Sequence, residues 1–534
     1  MAVNGPPRRW LFTLTILAGS FLLFLVQPMV ARMALPQLGG APNVWNSAML
    51  VYQALLLGGY AYAHAIGRFS LLKQGLIHLA VLGLGALTLP MALARIAPPA
   101  PGYEALWVPW LFLLTVGPAF FAVSAQAPLV QRWFAAHPRA GNPYPLYAAS
   151  NLGSFAGLLT YPLLAEPLLT LGQQSWFWSA GYVALIALVA VAVFSRRDVT
   201  GYTPQPVEIT GDDERAGWQT TLLWLALSAV PSGLMLSTTT FLTTDIMAMP
   251  LLWVIPLGLY LLSFAIAFAE KRALAGTFVF LAPLILLVDG GLSMFAAGRS
   301  DLLGAIASVI LLFVTAVALH SRLYDLRPHP AQLTRFYLVM AAGGALGGLF
   351  TALIAPLVFD WTWDHPLLLL AAAALVPLGA WRHLLRRFGA DRQTVRVALI
   401  VGLFLIFNAA LLLYGRVGNE RALSVGEWLT LGAILLFAVV MAARRWSYIF
   451  ACFALLAGLG GISNLNDTLE HARQRSYFGI YSVREQEDGD LLLMHGTTIH
   501  GIQRTGANAL EPTAYYGRES GVGLALTTAP QQFG

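Results

Sequence analysis

Residues 10–31 read WLFTLTILAGSFLLFLVQPMVA, an unbroken stretch with no charged side chain. A hydrocarbon core about 30 Å thick takes roughly 20 apolar residues of helix to cross. Backbone groups inside it find no water, so such a stretch must satisfy its own hydrogen bonds as a helix. Outward from this segment the same reading recurs, giving expected spans at 10–31, 45–66, 75–95, 106–130, 146–168, 175–195, 219–242, 249–269, 275–296, 302–320, 334–358, 366–382, 395–414, 427–443 and 446–463. Composition agrees: of 534 residues, 58% are hydrophobic and 10% charged, against about 25% charged in an ordinary soluble domain. The fold class is therefore an all-α polytopic membrane protein with about 14–15 transmembrane helices, followed by a small C-terminal β-rich soluble segment.

The net charge of +6 does not point to nucleic acid, because the basic residues sit in short loops between spans, where membrane orientation accounts for them. With the N-terminus cytoplasmic, 21 of the 31 Lys and Arg fall on the cytoplasmic side, five (Arg32, Arg95, Arg299, Arg416, Arg421) on the other, and the last five in the soluble tail. That asymmetry predicts a multi-pass protein of a bacterial inner membrane, with the lipid bilayer as its first partner. Arg8 and Arg9 precede the first apolar stretch, but its core is too long for a signal peptide and no small-residue cleavage pattern follows it, so it reads as a retained span. The side on which the tail lies depends on the last segment, Trp446 to Ser463, which is rich in glycine and either crosses fully or re-enters. Cys452 is the lone cysteine. It offers neither an internal disulfide nor a metal site, and no residue pattern calls for a cofactor.

The membrane region repeats itself. At an offset of 190, Arg132, Pro138, Tyr147, Gly153 and Gly157 fall on Arg322, Pro328, Tyr337, Gly343 and Gly347; at about 200, Gly58, Tyr60, Ala65 and Ile66 fall on Gly258, Tyr260, Ala265 and Ile266. Six spans per copy is an even number, so both copies enter from one face. Two parallel six-helix repeats form the major-facilitator-like layout, with a substrate cavity between the halves. The expected organisation is a first repeat over 1–195, a cytoplasmic linker over 196–218, a second repeat over 219–393, additional transmembrane helices over 394–463 and a tail over 464–534.

Polar groups at membrane depth are costly and mark a pathway by default. Gln27 and Pro28 interrupt span 1, with Arg32 about a turn on. Ser124 and Gln126 lie in span 4; Asn151 and Ser154 share one side of span 5, which ends near Glu166. Span 7 carries Ser237 to Thr240, then Thr243, Thr244 and Asp245, and Asp289 lies within span 9. The pathway candidates are Gln27, Arg32, Gln126, Asn151, Glu166, Asp245 and Asp289. Their blander reading is local: hydroxyls bonding their own helix, and Arg32, Glu166 and Asp245 snorkelling to the interface. His64, His78 and His320 read as packing residues.

Several motifs then converge. Gln27-Pro28-Met29-Val30-Ala31-Arg32, Leu35-Pro36-x-x-Gly39-Gly40, Val44-Trp45, Leu57-Gly58-Gly59-Tyr60-Ala61-Tyr62-Ala63-His64, Ser150-Asn151-x-Gly153-Ser154, Tyr161-Pro162, Glu166-Pro167, Pro231-Ser232 and Pro250-Leu251-Leu252-Trp253 with Pro256-Leu257 resemble the membrane half of bacterial fused transporter/spermidine synthase proteins. After Asn464 the composition turns soluble and alternates as strands do, over Tyr477 to Val483 and Leu491 to Met494. With His495-Gly496-Thr497-Thr498-Ile499-His500-Gly501-Ile502-Gln503 and Pro512-Thr513-Ala514-Tyr515-Tyr516, the tail is similar to the small β-domain that precedes a spermidine synthase catalytic domain. The resemblance implies substrate contacts at Gln503, Tyr515 and Tyr516. It also implies a donor-binding glycine-rich loop and a catalytic Asp, neither of which this chain carries, so the tail is expected to be truncated before the nucleotide-binding domain and no catalytic residue is assigned.

Two functions compete. One is transport of a small metabolite, of cationic, polyamine-like character, through a cavity between the halves. The other is a membrane anchor for a spermidine synthase-like aminopropyltransferase whose catalytic domain is missing from this chain. An inert membrane scaffold is the bland alternative, and the oligomeric state is left open.

Overall fold

The computed structural model describes residues 8–136, 144–195, 217–245, 253–269, 271–296, 302–328, 333–386, 392–416, 424–486, 488–496 and 498–528. The expected linker 196–218, apart from its last two residues, and the Asp245 side chain lie outside the described part.

A helical run sits on each expected span. They are α1 (Arg9–Leu38), α2 (Pro42–Ile66), α3 (Leu71–Ala86), α4 (Glu104–Ala135), α5 (residues 144–168), α6 (Leu171–Phe194), α7 (Trp218–Asp245), α8 (Val254–Ala267), α9 (Ala273–Ala296), α10 (Leu302–Asp325), α11 (residues 333–358), α12 (Asp364–Leu375), α13 (Arg392–Arg416), α14 (Val425–Val440) and α15 (Arg445–Leu469). Among the described residues, nine of these are long and apolar enough to cross a bilayer; α3, α8, α12, α14 and the apolar part of α13 are shorter, and α5 belongs to neither group. The chain is a multi-pass membrane protein.

Two expectations need correcting. The third span does not reach residue 95: α3 ends at Ala86, and residues 89–95 lie in no helix. The twelfth span does not run unbroken over 366–382: α12 stops at Leu375, and a separate short helix, Gly379–Arg386, follows. Val376 is extended (φ −59°, ψ 141°), as a residue before proline tends to be, and Pro377 has no N–H to continue the ladder.

Helix pairing inside the bundle repeats with a step of six. The α1–α5 contact recurs as α7–α11, α2–α4 as α8–α10, α1–α6 as α7–α12, α3–α4 as α9–α10 and α3–α6 as α9–α12. The contacts between halves swap in the same way: α2 packs on α11, and α8 packs on α5. Both copies even carry a single π-helical turn at matching places, Tyr161–Ala165 in α5 and Phe350–Ile354 in α11. This is the packing of two parallel six-helix halves about an axis along the membrane normal.

The glycine pairs explain the closest crossings. A side chain at Gly153 or Gly157 would collide with the carbonyl oxygens of Leu17 and Phe21 on α1; one at Gly343 or Gly347 would collide with those of Leu225 and Ala229 on α7. Small residues let membrane helices approach backbone to backbone. Beyond the twelfth run, α13, α14 and α15 pack on one another and against α9 and α12, on the flank of the second half.

The tail folds into a four-stranded antiparallel meander: β1 (Arg473–Ser476), β2 (Gly479–Glu485), β3 (Leu491–His495) and β4 (Thr498–Gln503). Here too an expectation shifts. Tyr477 and Phe478 are not the start of a strand but the two-residue turn between β1 and β2, where Ser476 pairs with Gly479 and the Phe478 N–H donates to Ser476 Oγ. The turn is lodged in the membrane bundle. Asn43 Nδ2 donates to the Tyr477 carbonyl (2.8 Å), and the Tyr477 hydroxyl bonds Ser47 Oγ (2.7 Å) and the Asn43 carbonyl (3.1 Å). Arg475 reaches the Trp361 carbonyl (2.8 Å) and the buried Asp364 carboxylate (3.5 Å). Arg473 joins Asp360, Thr468 and Asn464. The hairpin therefore lies across the start of α2 in the first half and the start of α12 in the second. Those helix starts share one end of the bundle, opposite the arginine-rich α2–α3 and α10–α11 turns, so α15 crosses the bundle in full rather than re-entering.

Candidate functional site: a central cavity between the halves

Between the halves lies a cavity of about 220 Å³. The first half supplies Ser20 and Gln27 from α1, Tyr52, Gln53 and Tyr60 from α2, Ser124 and Gln126 from α4, and Ser150, Asn151 and Ser154 from α5; the second supplies Tyr260 and Phe264 from α8 and Tyr337, Met340 and Gly344 from α11. The wall is aromatic and aliphatic with amides and hydroxyls set into it, and none of the described lining residues is charged. The lining comes from the C-terminal half of α4 and the N-terminal halves of α5 and α11. The space is thus displaced toward the arginine-rich end.

Several of these polar groups are held rather than loose. Gln126 Nε2 donates to the Thr15 carbonyl on α1 at 2.6 Å, Gln27 Nε2 to the Leu23 carbonyl at 3.2 Å, and the Tyr52 hydroxyl to the Gln27 carbonyl at 3.2 Å. Ser20 and Ser150 share a hydrogen bond of 2.8 Å. Across the two halves, Gln53 Nε2 donates to Ser232 Oγ (2.9 Å), which in turn donates to the Gly344 carbonyl (3.0 Å). A polar side chain whose second atom is tied to a neighbouring helix presents the first in a fixed direction, which is how a mostly apolar pocket acquires specificity.

At the opposite end the halves meet closely. Trp45 stacks on Trp253 with ring centroids 5.1 Å apart, and Asn46 Nδ2 donates to Thr240 Oγ1 at 3.0 Å. The β1–β2 hairpin lies over the same end. The cavity is closed there by contacts between the halves, and the hairpin over them is bound to both halves.

Of the candidates from sequence, Gln27, Gln126 and Asn151 are brought together at this cavity. Arg32 and Glu166 are not: they pair with each other, Nε to Oε1 at 2.8 Å, tying α1 to the far end of α5, with 38% and 25% of the side chains exposed. Asp289 is buried on α9, beside Gly290 and Gly291, whose neighbours are Leu369, Leu455 and Leu459. Asp289 itself is not among the residues that line the central space. Gln503 ends β4 on the surface, and Tyr515 and Tyr516 lie on an exposed turn. His78 and His320 pack among rings; His320 stacks on Phe264 at 3.6 Å and bonds Ser263.

Sequence reading missed Gln53, Tyr60 and Tyr260. Gln53 was legible by the rule that found Gln27, an amide in mid-span. Tyr60 and Tyr260 had been matched to each other as repeat positions, and both line the cavity: a polar-tipped residue kept in both copies was itself a signal.

No family model and no curated protein matches the chain. Solved structures similar to it include a peptide transporter, POT, in complex with alafosfalin (14% identity, 70% of this chain and 95% of that one, TM-score 0.46). Others are the inward-open xylose transporter XylE from E. coli (14%, 68% and 95%, 0.45) and the nucleoside transporter NupG (15%, 68% and 96%, 0.43). The two-half architecture rests on the internal helix pairing described above.

Proposed function

We propose that this chain is a carrier that moves a small, polar, uncharged solute across the membrane by alternating access. The observation that carries the reading is the central cavity. It is lined from both halves by amides, hydroxyls and tyrosines, and closed at one end by contacts that run between the halves. In that picture Gln27, Gln53, Gln126 and Asn151 offer both donors and acceptors to the solute, and Tyr60, Tyr260 and Phe264 pack its apolar faces. Rocking of the halves would break the Trp45–Trp253 stack and the Asn46–Thr240 bond and free the hairpin from one of the two halves, opening the other end. The arginine asymmetry supports an N-terminus on the cytoplasmic side of a bacterial inner membrane, and hence a cavity displaced toward the cytoplasm.

A cationic, polyamine-like cargo is the second reading, and it rests on Asp245, a carboxylate on the cavity-flanking helix α7. Counterflow in proteoliposomes separates the two. Labelled neutral solutes (hexoses, nucleosides, neutral dipeptides) should exchange for at least one class, and exchange should fall at least tenfold in Gln27→Ala and Asn151→Ala. Exchange of spermidine alone, abolished by Asp245→Asn, would replace the neutral solute by a cation. The synthase-like anchor rests on the tail motifs around Gln503, Tyr515 and Tyr516. An aminopropyl donor is made in the cytosol, whereas the hairpin docks at the end of the bundle opposite the arginines, which favours transport over this alternative.

A further inference from the structure

The arginine-rich end contains one group that the transport reading does not use. Arg322, at the end of α10, donates from Nη1 to the Leu375 carbonyl. Arg445, at the start of α15, donates from Nη1 to the carbonyls of Ala373 (3.1 Å) and Val376. Both guanidiniums therefore converge on the last turn of α12, where carbonyls are left over because the helix breaks before Pro377. Arg382 lies on the short helix that follows the break, and that helix packs on residues 441–443, just ahead of Arg445. Three positive charges thus share one corner of the bundle.

No carboxylate offsets them among the described residues. The acidic side chain nearest in sequence, Asp325, is paired with Arg272 at 3.2 Å. Elsewhere at this end Arg132 bonds the Gly67 carbonyl, Arg335 bonds Thr221, and Arg272 and Arg327 lie over the Tyr324 ring. The repeat sharpens the contrast, since Arg132 is the first-half counterpart of Arg322. Among the described residues, the Gly379–Arg386 helix and the added helix α15 bring further arginines to that position in the second half.

The surroundings belong to the membrane interface. Trp381 stacks on Phe280 at 5.0 Å and donates from Nε1 to its carbonyl (2.7 Å). Trp446, next to Arg445, is 73% exposed. Tryptophans at this depth mark the headgroup level, and basic pockets between helices at that level hold lipid phosphates. Arginine suits the task, because a guanidinium that spends one N–H on a carbonyl keeps others in a fixed fork for a phosphate oxygen.

We propose that Arg322, Arg382 and Arg445 form a phosphate-binding site for the headgroup of an anionic phospholipid, which the second half and α15 hold jointly. The lipid would neutralise the cluster and fasten the added helices to the transporter half.

The test is lipid retention by the intact protein, read by native mass spectrometry after release from nanodiscs of phosphatidylcholine with and without phosphatidylglycerol. Phosphatidylglycerol should be retained in preference to phosphatidylcholine, about fivefold more weakly for each arginine removed. Arg382→Gln is the safe variant, since that side chain is exposed and caps nothing; Arg445→Gln should act in the same direction. Arg132→Gln should leave retention unchanged. Equal retention of the two lipids, or retention unaltered in Arg382→Gln, would overturn the site. Stabilisation by inorganic phosphate in lipid-free detergent, lost in Arg382→Gln and not added to by the lipid, would overturn the lipid and assign the phosphate to a soluble source.

Discussion

Gly157 and Gly344 are both glycines on helices that meet at the cavity, and they should respond to substitution in opposite ways. A methyl group at Gly157 meets the Phe21 carbonyl, a backbone atom that has nowhere to go; one at Gly344 meets nothing within 4 Å. Gly157→Ala should therefore lower the stability of the purified protein by about 1–3 kcal/mol, the usual cost of overpacking, read as an earlier thermal midpoint in detergent. Gly344→Leu should leave that midpoint in place and stop solute exchange by filling the cavity. In the tail, His495 is stacked on Tyr481 at 4.6 Å and lies 5.5 Å from His500. Burial, helped by the His500 charge, holds its pKa below the ordinary histidine value. The unfolded tail therefore takes up a proton more readily than the folded sheet, so the sheet loses stability as pH falls through about 6.5. Hydrogen exchange at β2 and β3, corrected for intrinsic rate, should quicken between neutral and mildly acidic pH, and the effect should flatten in His495→Gln.

At the scale of elements, the contact with the most at stake is the β1–β2 hairpin. Arg475 and Asp364 form an ion pair with 3% and 1% of their side chains exposed. Removing one partner of such a pair leaves a buried charge alone and typically costs 3–5 kcal/mol, while replacing both with apolar residues is close to neutral. Asp364→Asn should thus release the hairpin, seen as protease cleavage within β1 and β2, and Asp364→Leu combined with Arg475→Met should restore most of the protection. That hairpin also marks the limit of what the sequence could reveal. Every helical run was legible, because each needed only length and apolarity. The break in α12 was encoded at Pro377 but hidden by the surrounding leucines and alanines. The Tyr477-Phe478 turn was hidden by alternation, which reads the same whether an aromatic residue starts a strand or plugs a neighbour. In the cavity, Gln27, Gln126 and Asn151 were found because amides at membrane depth demand an explanation. Arg32, Glu166 and Asp289 satisfied the same rule for other reasons: two are each other's partners, and the third is buried on α9 outside the cavity lining. Burial cost alone does not tell a pathway from a clamp.

At the scale of the whole molecule, two like-oriented halves, a hinge of side-chain contacts at one end and a cavity near the other imply a definite sidedness. Reporters inserted at the tail and at the α2–α3 turn should be active in opposite compartments; activity in the same compartment would mean that α15 does not cross. The central claim, that the space between the halves is a passage reached from alternating sides, can be tested without knowing the solute. Cys452 is buried and is the lone cysteine, so a Cys452→Ser background carrying Ser154→Cys places one thiol on the cavity wall. In oriented vesicles a membrane-impermeant thiol reagent should label it from the arginine-rich side and not from the other. Adding Trp45→Ala, which removes half of the stack closing the far end, should make it reactive from that far side as well. A thiol that stays unreactive from both sides in both proteins would contradict the account.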